Sequence, residues 1–433
     1  MVVVEEPFIN NTASQNRQDS IISQKIPRTK PIKKDATPPA QQEDEYLRIT
    51  VTSLDRTKRD PIFKLKAATN MPKFKQKTYQ LIERAYTEFE RLYDSMTYAN
   101  PECIVLALPS PASSFAASDE DERRVKRSVQ QWLNRIASNP VLRHDEELRS
   151  FVESSFTFIP TSKPRKRSSG FRLKFSSRTA QDDDHVLTNA KAVATVLEGY
   201  MLESTKAVQK LAKSRKSMAV CNTDLGMKAI TFATSEQHPP LSSGFRKLGK
   251  MLQSIAELQH TQASVEVAIL GDFFTYYAIN ARVVKETLSN RIRITTEYET
   301  AKKNTISKRR YIERLKASTS IKPERVDEAL EDLEYAKSYE ENLGARLIHV
   351  TKNLHNELTI YEENRTQDFL SVFKEFTRKQ ILYEKQQLKA WEDLRPDINA
   401  ITKKSMRVHA LGDEELNPKA VAERLGTYTS SLR

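Results

Sequence analysis

Two closely spaced sets of cations are the residues of this 433-residue chain best equipped for chemistry, and that chemistry is adhesion to anionic surfaces. One set is Lys302, Lys303, Lys308, Arg309, Arg310, Arg314 and Lys316; the other is Lys163, Arg165, Lys166 and Arg167, followed by Phe171, Arg172, Leu173, Lys174 and Phe175. Rings mixed with cations suit a headgroup boundary, where rings bury and cations meet acidic lipids. Each set has a plainer reading. The first is also a solvated helix face neutralised by Glu297, Glu299 and Glu313, and the second a solvated linker of nuclear-localisation type. Catalytic patterns are missing: there is no glycine-rich phosphate loop, paired metal-ligand motif or nucleophile elbow. His349 and His355 flank no zinc-site pattern, and Cys221 follows an apolar run suited to packing. The sequence therefore predicts no enzyme, no metal and no cofactor.

The elements that must carry these cations are long helices. From Glu324 to Arg395 no proline occurs, and Leu347, Val350, Leu354, Leu358, Tyr361, Phe369, Val372 and Phe376 recur at helical spacing. Steps of four, three and four predict a nearly straight or slightly right-handed stripe, on which the charge of Arg365 either enters the seam or snorkels out of it. About 70 residues at 1.5 Å each give a rod of roughly 105 Å, too long for one ordinary core. Ser242–Ser318, with Phe245, Leu248, Leu252, Ile255, Ile269, Phe273 and Tyr276, predicts a second rod; residues 183–234, with Val186, Val193, Leu197 and Val208, predict a third. Pro239-Pro240 separates one pair and Ser318–Pro323 the other, so the neighbours should run antiparallel. The first basic set then lies at the distal tip of a three-helix stack. Val265–Tyr277 and Phe369, Phe373, Phe376 and Trp391 hold more apolar surface than three helices enclose, which predicts a dimer interface there.

Composition narrows the partners. Lys plus Arg number 70 against 57 Asp plus Glu, a formal charge of +13 that favours acidic lipid or nucleic acid. Cys103 and Cys221 cannot make a disulfide framework, which predicts a reducing compartment. No run approaches the roughly 20 apolar residues that span a bilayer, and Met1-Val2-Val3-Val4 is cut short by Glu5-Glu6, so neither an anchor nor a signal peptide is expected.

The first part of the chain divides by texture. Residues 1–43 are polar and predict a disordered arm. Residues 44–160 predict a compact α+β domain. Tyr46–Thr52, Ile62–Ala67 and Thr78–Ile82 form an antiparallel meander, followed by helices near Glu88, over Asp121–Ala137 and near Glu146–Ser154. A basic linker (161–181), the helical stack (182–405) and a tail (406–433) complete the expected organisation.

Arg84-Ala85-Tyr86-Thr87-Glu88-Phe89, then Ile104–Pro109, then Gln131–Ile136 with Asn139-Pro140-Val141-Leu142, resemble a phox-homology (PX) domain. The helices behind it resemble the BAR domain of a sorting nexin, with matches at Asp368-Phe369, Trp391–Leu394 and Pro396–Ile401. The resemblance implies a PX domain followed by an antiparallel three-helix BAR coiled coil. It implies a peripheral protein of cytoplasmic endosomal membranes that pairs with a second PX-BAR protein. It further implies work with retromer cargo-recognition subunits in endosome-to-Golgi sorting, and an amphipathic helix for the linker, where strict alternation from Phe171 to Phe175 alone fits a strand.

The resemblance also implies a phosphoinositide pocket near Arg84, Tyr86, Arg123, Arg124, Lys126 and Arg127, though a degenerate one. Ala85 and Pro111 stand where the family pattern has an arginine and a lysine, so weak or unselective headgroup binding is expected. Three functions compete: a membrane-bending sorting coat, a coiled-coil tether with only weak lipid binding, and, ranked last for want of a base-reading motif, a nucleic-acid binder.

Overall fold

The computed structural model describes residues 45–115, 119–161, 184–317 and 323–415, with side chains of the last helix described from Glu324 to Ile401. The expected arm, the linker from Lys163 to Phe175 and the end of the tail lie outside the described residues.

The compact domain opens with three antiparallel strands in the order β1 (Leu47–Asp55), β2 (Ile62–Thr69) and β3 (Thr78–Ala85). Alternation of apolar and polar residues turns one face of the sheet inward, so Ile49, Phe63, Leu65 and Ile82 are buried. Helices α1 (Tyr86–Ala99), α2 (Asp119–Ser138) and α3 (Glu146–Glu153) close over that face. Phe63, Trp132 and Phe151 surround Phe89 and Phe158 packs on Phe151, each pair edge-on or tilted with centroids 5.0 to 6.2 Å apart. Glu88 ties the start of α1 to the end of the domain, accepting from the Ala85 N–H at 2.7 Å and the Phe158 N–H at 2.5 Å.

Three rods follow. Helix α4 (His185–Ser235) starts where the Asp184 carboxylate accepts from the Val186 and Leu187 N–H groups, an N-cap that its acidic character favours. It turns at His238 into α5 (Pro239–Glu266), with Pro239 placed where a missing N–H costs nothing. A π-helical turn, Val267–Gly271, joins α5 to α6 (Asp272–Lys316), and α7 (Pro323–Glu415) returns along both. The buried face of α4 steps by sevens through Leu187, Ala194, Met201 and Val208, shifts by four to Ala212, then steps by sevens to Ala233. Seven-residue steps belong to a supercoiled seam, and the inserted four locally unwinds it. Small residues let the rods close. A Cβ on Gly226 or Gly249 would lie 2.7 or 2.5 Å from the other's carbonyl oxygen.

Helix α7 adds detail to the expected stripe. Ahead of the expected stripe, the distal buried residues Ala329, Ala336, Leu343 and Val350 step by sevens, so this part is a supercoil seam; from Val350 the buried residues Leu354, Leu358 and Tyr361 follow at steps of four, four and three. Arg365 stays out of the seam with its guanidinium 5.7 Å from the Tyr361 ring centroid. The helix also runs past Pro396. That ring removes the N–H for the Glu392 carbonyl on an exposed face, where solvent replaces it, while Lys247 pairs with Asp397 beside it.

Candidate functional site

The compact domain is seated on the rods, and the strip Cys103–Leu108 is the seam. It is extended, so successive side chains face opposite ways. Cys103 and Val105 enter the compact core, whereas Ile104 and Leu106 join Leu187, Val284, Leu354 and Leu358 between the helices. Its backbone N–H groups find helix side chains: Ala107 donates to Asn280 Oδ1 at 2.9 Å and Ile104 to Glu357 at 3.1 Å. Burial raises the pKa of Glu357, whose other oxygen accepts from Asn139 at 2.6 Å.

Asp368 is the hub of the contact. Its carboxylate, nearly buried on α7, accepts from Gln131 at 2.6 Å, from Arg135 at 2.7 Å through both oxygens, and from the Tyr277 hydroxyl at 2.5 Å. Burial, reinforced by that neighbouring carboxylate, pushes the Tyr277 phenol well above its usual range. Beside the hub, Ser114 donates its N–H to Asp272 at 2.8 Å, and the Phe115 ring packs against Val265, Ile269 and Tyr383. Asp272 is pushed up by burial despite these bonds.

A cleft of about 750 Å³ opens along this junction. Tyr86, Pro109, Pro111, Arg124, Arg127 and Ser128 line it from the compact domain, and Ile269, Phe273, Tyr276, Asp368 and Glu375 from the rods. Of the six expected pocket residues, Tyr86, Arg124 and Arg127 meet there. Tyr86 donates to the Pro109 carbonyl at 3.0 Å, and burial raises its pKa to about 12. Arg84 corrects the expectation. It is 3 % exposed, and its guanidinium donates to the carbonyls of Glu83, Phe151 and Ser154, pinning α3 to β3. Arg123 and Lys126 are absent from the cleft lining, and Lys126 pairs with Glu122 at 3.5 Å.

The cleft cations are not free. Arg124 lies 3.0 Å and Arg127 3.8 Å from the Glu375 carboxylate of α7, while Arg124 also approaches Glu120 at 3.7 Å. Glu120 in turn meets Lys379 at 2.8 Å, and this hydrogen bond holds its carboxyl below the usual range.

The tip cations differ. Lys302, Lys303, Arg309, Arg310 and Arg314 are exposed and have no ion pair among the described residues, whereas Lys308 pairs with Asp332. Glu297 turns to Arg293 at 4.0 Å instead of neutralising them. The start of α7 opposite carries Glu324, Asp327, Glu328, Glu331, Asp332 and Glu334, so the two helices of the tip differ in charge. Among the described residues no helix is long and apolar enough to cross a membrane.

The expected dimer residues also divide. Ile269 is buried within the chain, beneath Phe115 and against Tyr383, which removes it from any partner's reach. Part of the apolar excess of Val265–Tyr277 is thus covered within the chain, by Phe115 of the compact domain and by Met201, Phe369 and Tyr383 of the neighbouring rods. Phe273, Tyr276, Phe369 and Phe376 are half-buried, with the Phe369 ring 4.8 Å from Phe273 and 5.3 Å from Tyr277. Phe373 and Trp391 remain 45 % and 50 % exposed on α7. Leu388 and Ile398 are exposed near them, and on α4 the exposed Leu211, Met218, Leu225 and Phe232 follow one another at steps of seven.

Comparison with known proteins gives two family matches. The family described as Vps5 C terminal like matches residues 165–397, and the PX domain family matches residues 72–155. Vacuolar protein sorting-associated protein 17 of Schizosaccharomyces pombe is 30 % identical over 360 residues, covering 82 % of this chain and 66 % of the relative. The Saccharomyces cerevisiae protein of that name is 29 % identical over 362 residues, covering 80 % and 64 %. The chain thus spans just under two thirds of the length of these relatives. Mouse sorting nexin-1 is 20 % identical over 363 residues, covering 78 % of this chain and 69 % of that protein. Among solved structures, the SNX-BAR Mvp1 tetramer shares the fold with a TM-score of 0.55 at 11 % identity, over 80 % of this chain and 99 % of that one.

Proposed function

Because the chain belongs to the Vps5 C-terminal-like family of PX-BAR sorting nexins, we propose that it is a peripheral coat protein of curved endosomal membranes. Its work is binding: the rods supply stiffness, the tip supplies adhesion, and pairing with a second PX-BAR protein supplies the arc. The proposal extends to a role with retromer cargo-recognition subunits in endosome-to-Golgi sorting, on the strength of the likeness to fungal proteins named for vacuolar sorting. Pairing is supported by the exposed row on α4 together with Phe373, Leu388, Trp391 and Ile398. The linker cations and rings, from Lys163 to Phe175, are proposed as a second adhesive surface.

One observation carries the membrane reading: five exposed cations at the end of a long rod, with no ion pair among the described residues. Each is worth ~1 kcal/mol near an acidic bilayer, so together they dominate over any single contact. Lys302→Glu, Lys303→Glu, Arg309→Glu and Arg310→Glu combined should reduce pelleting with phosphatidylserine vesicles at least about tenfold, with helicity retained. Undiminished pelleting of the folded variant moves adhesion away from the tip. Equal retention of the wild-type chain on DNA at matched salt would favour the nucleic-acid reading instead.

A further inference from the structure

The cleft cations present a second kind of anion site, already filled from within the chain. Lys379, Glu120, Arg124, Glu375 and Arg127 form a ladder of alternating sign that runs between α2 and α7. Within it Glu375 is the only carboxylate that touches both cleft arginines. Its side chain is part-exposed, and the Arg127 side chain is mostly exposed, so ligand can reach the pair from solvent. Around them the cleft offers the Ser128 hydroxyl and the face of Tyr86 in a volume suited to a small polar ligand.

We infer that Glu375 is a resident counter-anion, a carboxylate supplied by the helical rods that occupies the Arg124–Arg127 pair and competes with phosphate-bearing ligands for it. A carboxylate carries one negative charge, whereas a phosphate monoester carries about two and offers three acceptor oxygens to guanidinium forks. Ligand therefore binds only by displacing Glu375, which lowers its affinity and couples occupancy to the seating of the compact domain on α7. Sequence position conceals this device, because Glu375 lies about 250 residues from the arginines it restrains. The inference rests on reading the cleft as an anion site but not on membrane bending.

The test measures binding of soluble inositol 1,3-bisphosphate and of inorganic phosphate to the full chain by calorimetry, beside pelleting with phosphatidylserine vesicles with and without phosphatidylinositol 3-phosphate. Glu375→Gln keeps shape and removes charge, and should raise headgroup affinity about fivefold, the upper range for a part-exposed ion pair. Adding Arg124→Ala and Arg127→Ala should abolish the gain. Lys379→Ala loosens the same ladder without freeing the arginines, and should give no gain. An equal gain with inorganic phosphate assigns the site to phosphate alone; a gain confined to the inositol headgroup assigns it to that ring; either result supports competition by Glu375. No gain in Glu375→Gln, a gain that survives loss of both arginines, or an equal gain in Lys379→Ala overturns the inference. Failure of every variant to bind any vesicle, with the headgroup gain intact, would count against the membrane reading and leave this one standing.

Discussion

Phe373→Asp combined with Trp391→Asp is expected to turn the proposed dimer into a monomer. Both side chains are large and about half exposed on the single chain, so aspartate there removes little from the chain's own fold. Across an interface the same rings would be buried aromatic anchors, each costing ~2 kcal/mol or more on removal, and a buried carboxylate adds a desolvation penalty. Two such losses correspond to about a thousandfold weaker association. Sedimentation velocity over a dilution series, on the chain alone and co-expressed with a second PX-BAR protein, gives the readout, with circular dichroism to check helicity. A dimer of unchanged affinity in the folded variant would show that pairing uses another face.

Asp368→Ala should release the compact domain from the rods while leaving both intact. The substitution strands Arg135 and Tyr277 in a contact they entered only because one carboxylate served both. Removing one partner of a buried charge pair costs about 3–5 kcal/mol, because the remaining charge is left unpaired. Hydrogen exchange should therefore rise over Ile104–Leu108 and along α2, with α4 and α5 unchanged. Asp368→Asn keeps an acceptor and should show a smaller rise. Protection equal to wild type in Asp368→Ala would mean that the apolar contacts of Ile104 and Leu106 hold the domain without the hub.

The rods were legible in the sequence because periodicity and proline report backbone geometry directly. Pro239-Pro240 and Pro323 begin two of the helices, and the buried positions of α7 recur from Val350 to Tyr361 as expected, with Leu347 partly buried ahead of them. The strands were legible by alternation, and the same alternation placed Arg84 on the inward side with Ile82, a sign that it was structural. The motif around it drew attention to charge instead. Asp368 left a similar trace, standing seven residues after Tyr361 in the buried register, where a charge implies a partner. No local pattern could supply that partner, since Gln131 and Arg135 lie more than two hundred residues away. The π-helical turn at Val267–Gly271 is likewise silent in spacing, because a single inserted residue barely disturbs an apolar run. The apolar excess there was expected to need a second chain as its cover, and within the chain Phe115 of the compact domain and Tyr383, Val372 and Phe376 of α7 already pack against Val265 and Ile269.

The most direct test of the membrane reading is pelleting of the full chain, with and without a co-expressed PX-BAR partner, on acidic vesicles of small and large diameter at equal lipid. The expected result is stronger binding to the small vesicles, loss of binding as salt shortens the screening length from about 10 Å at 0.1 M, and tubules drawn from the large vesicles by the pair. Salt-insensitive binding that is equal on neutral and acidic vesicles, with no preference for diameter and no tubules, would contradict it.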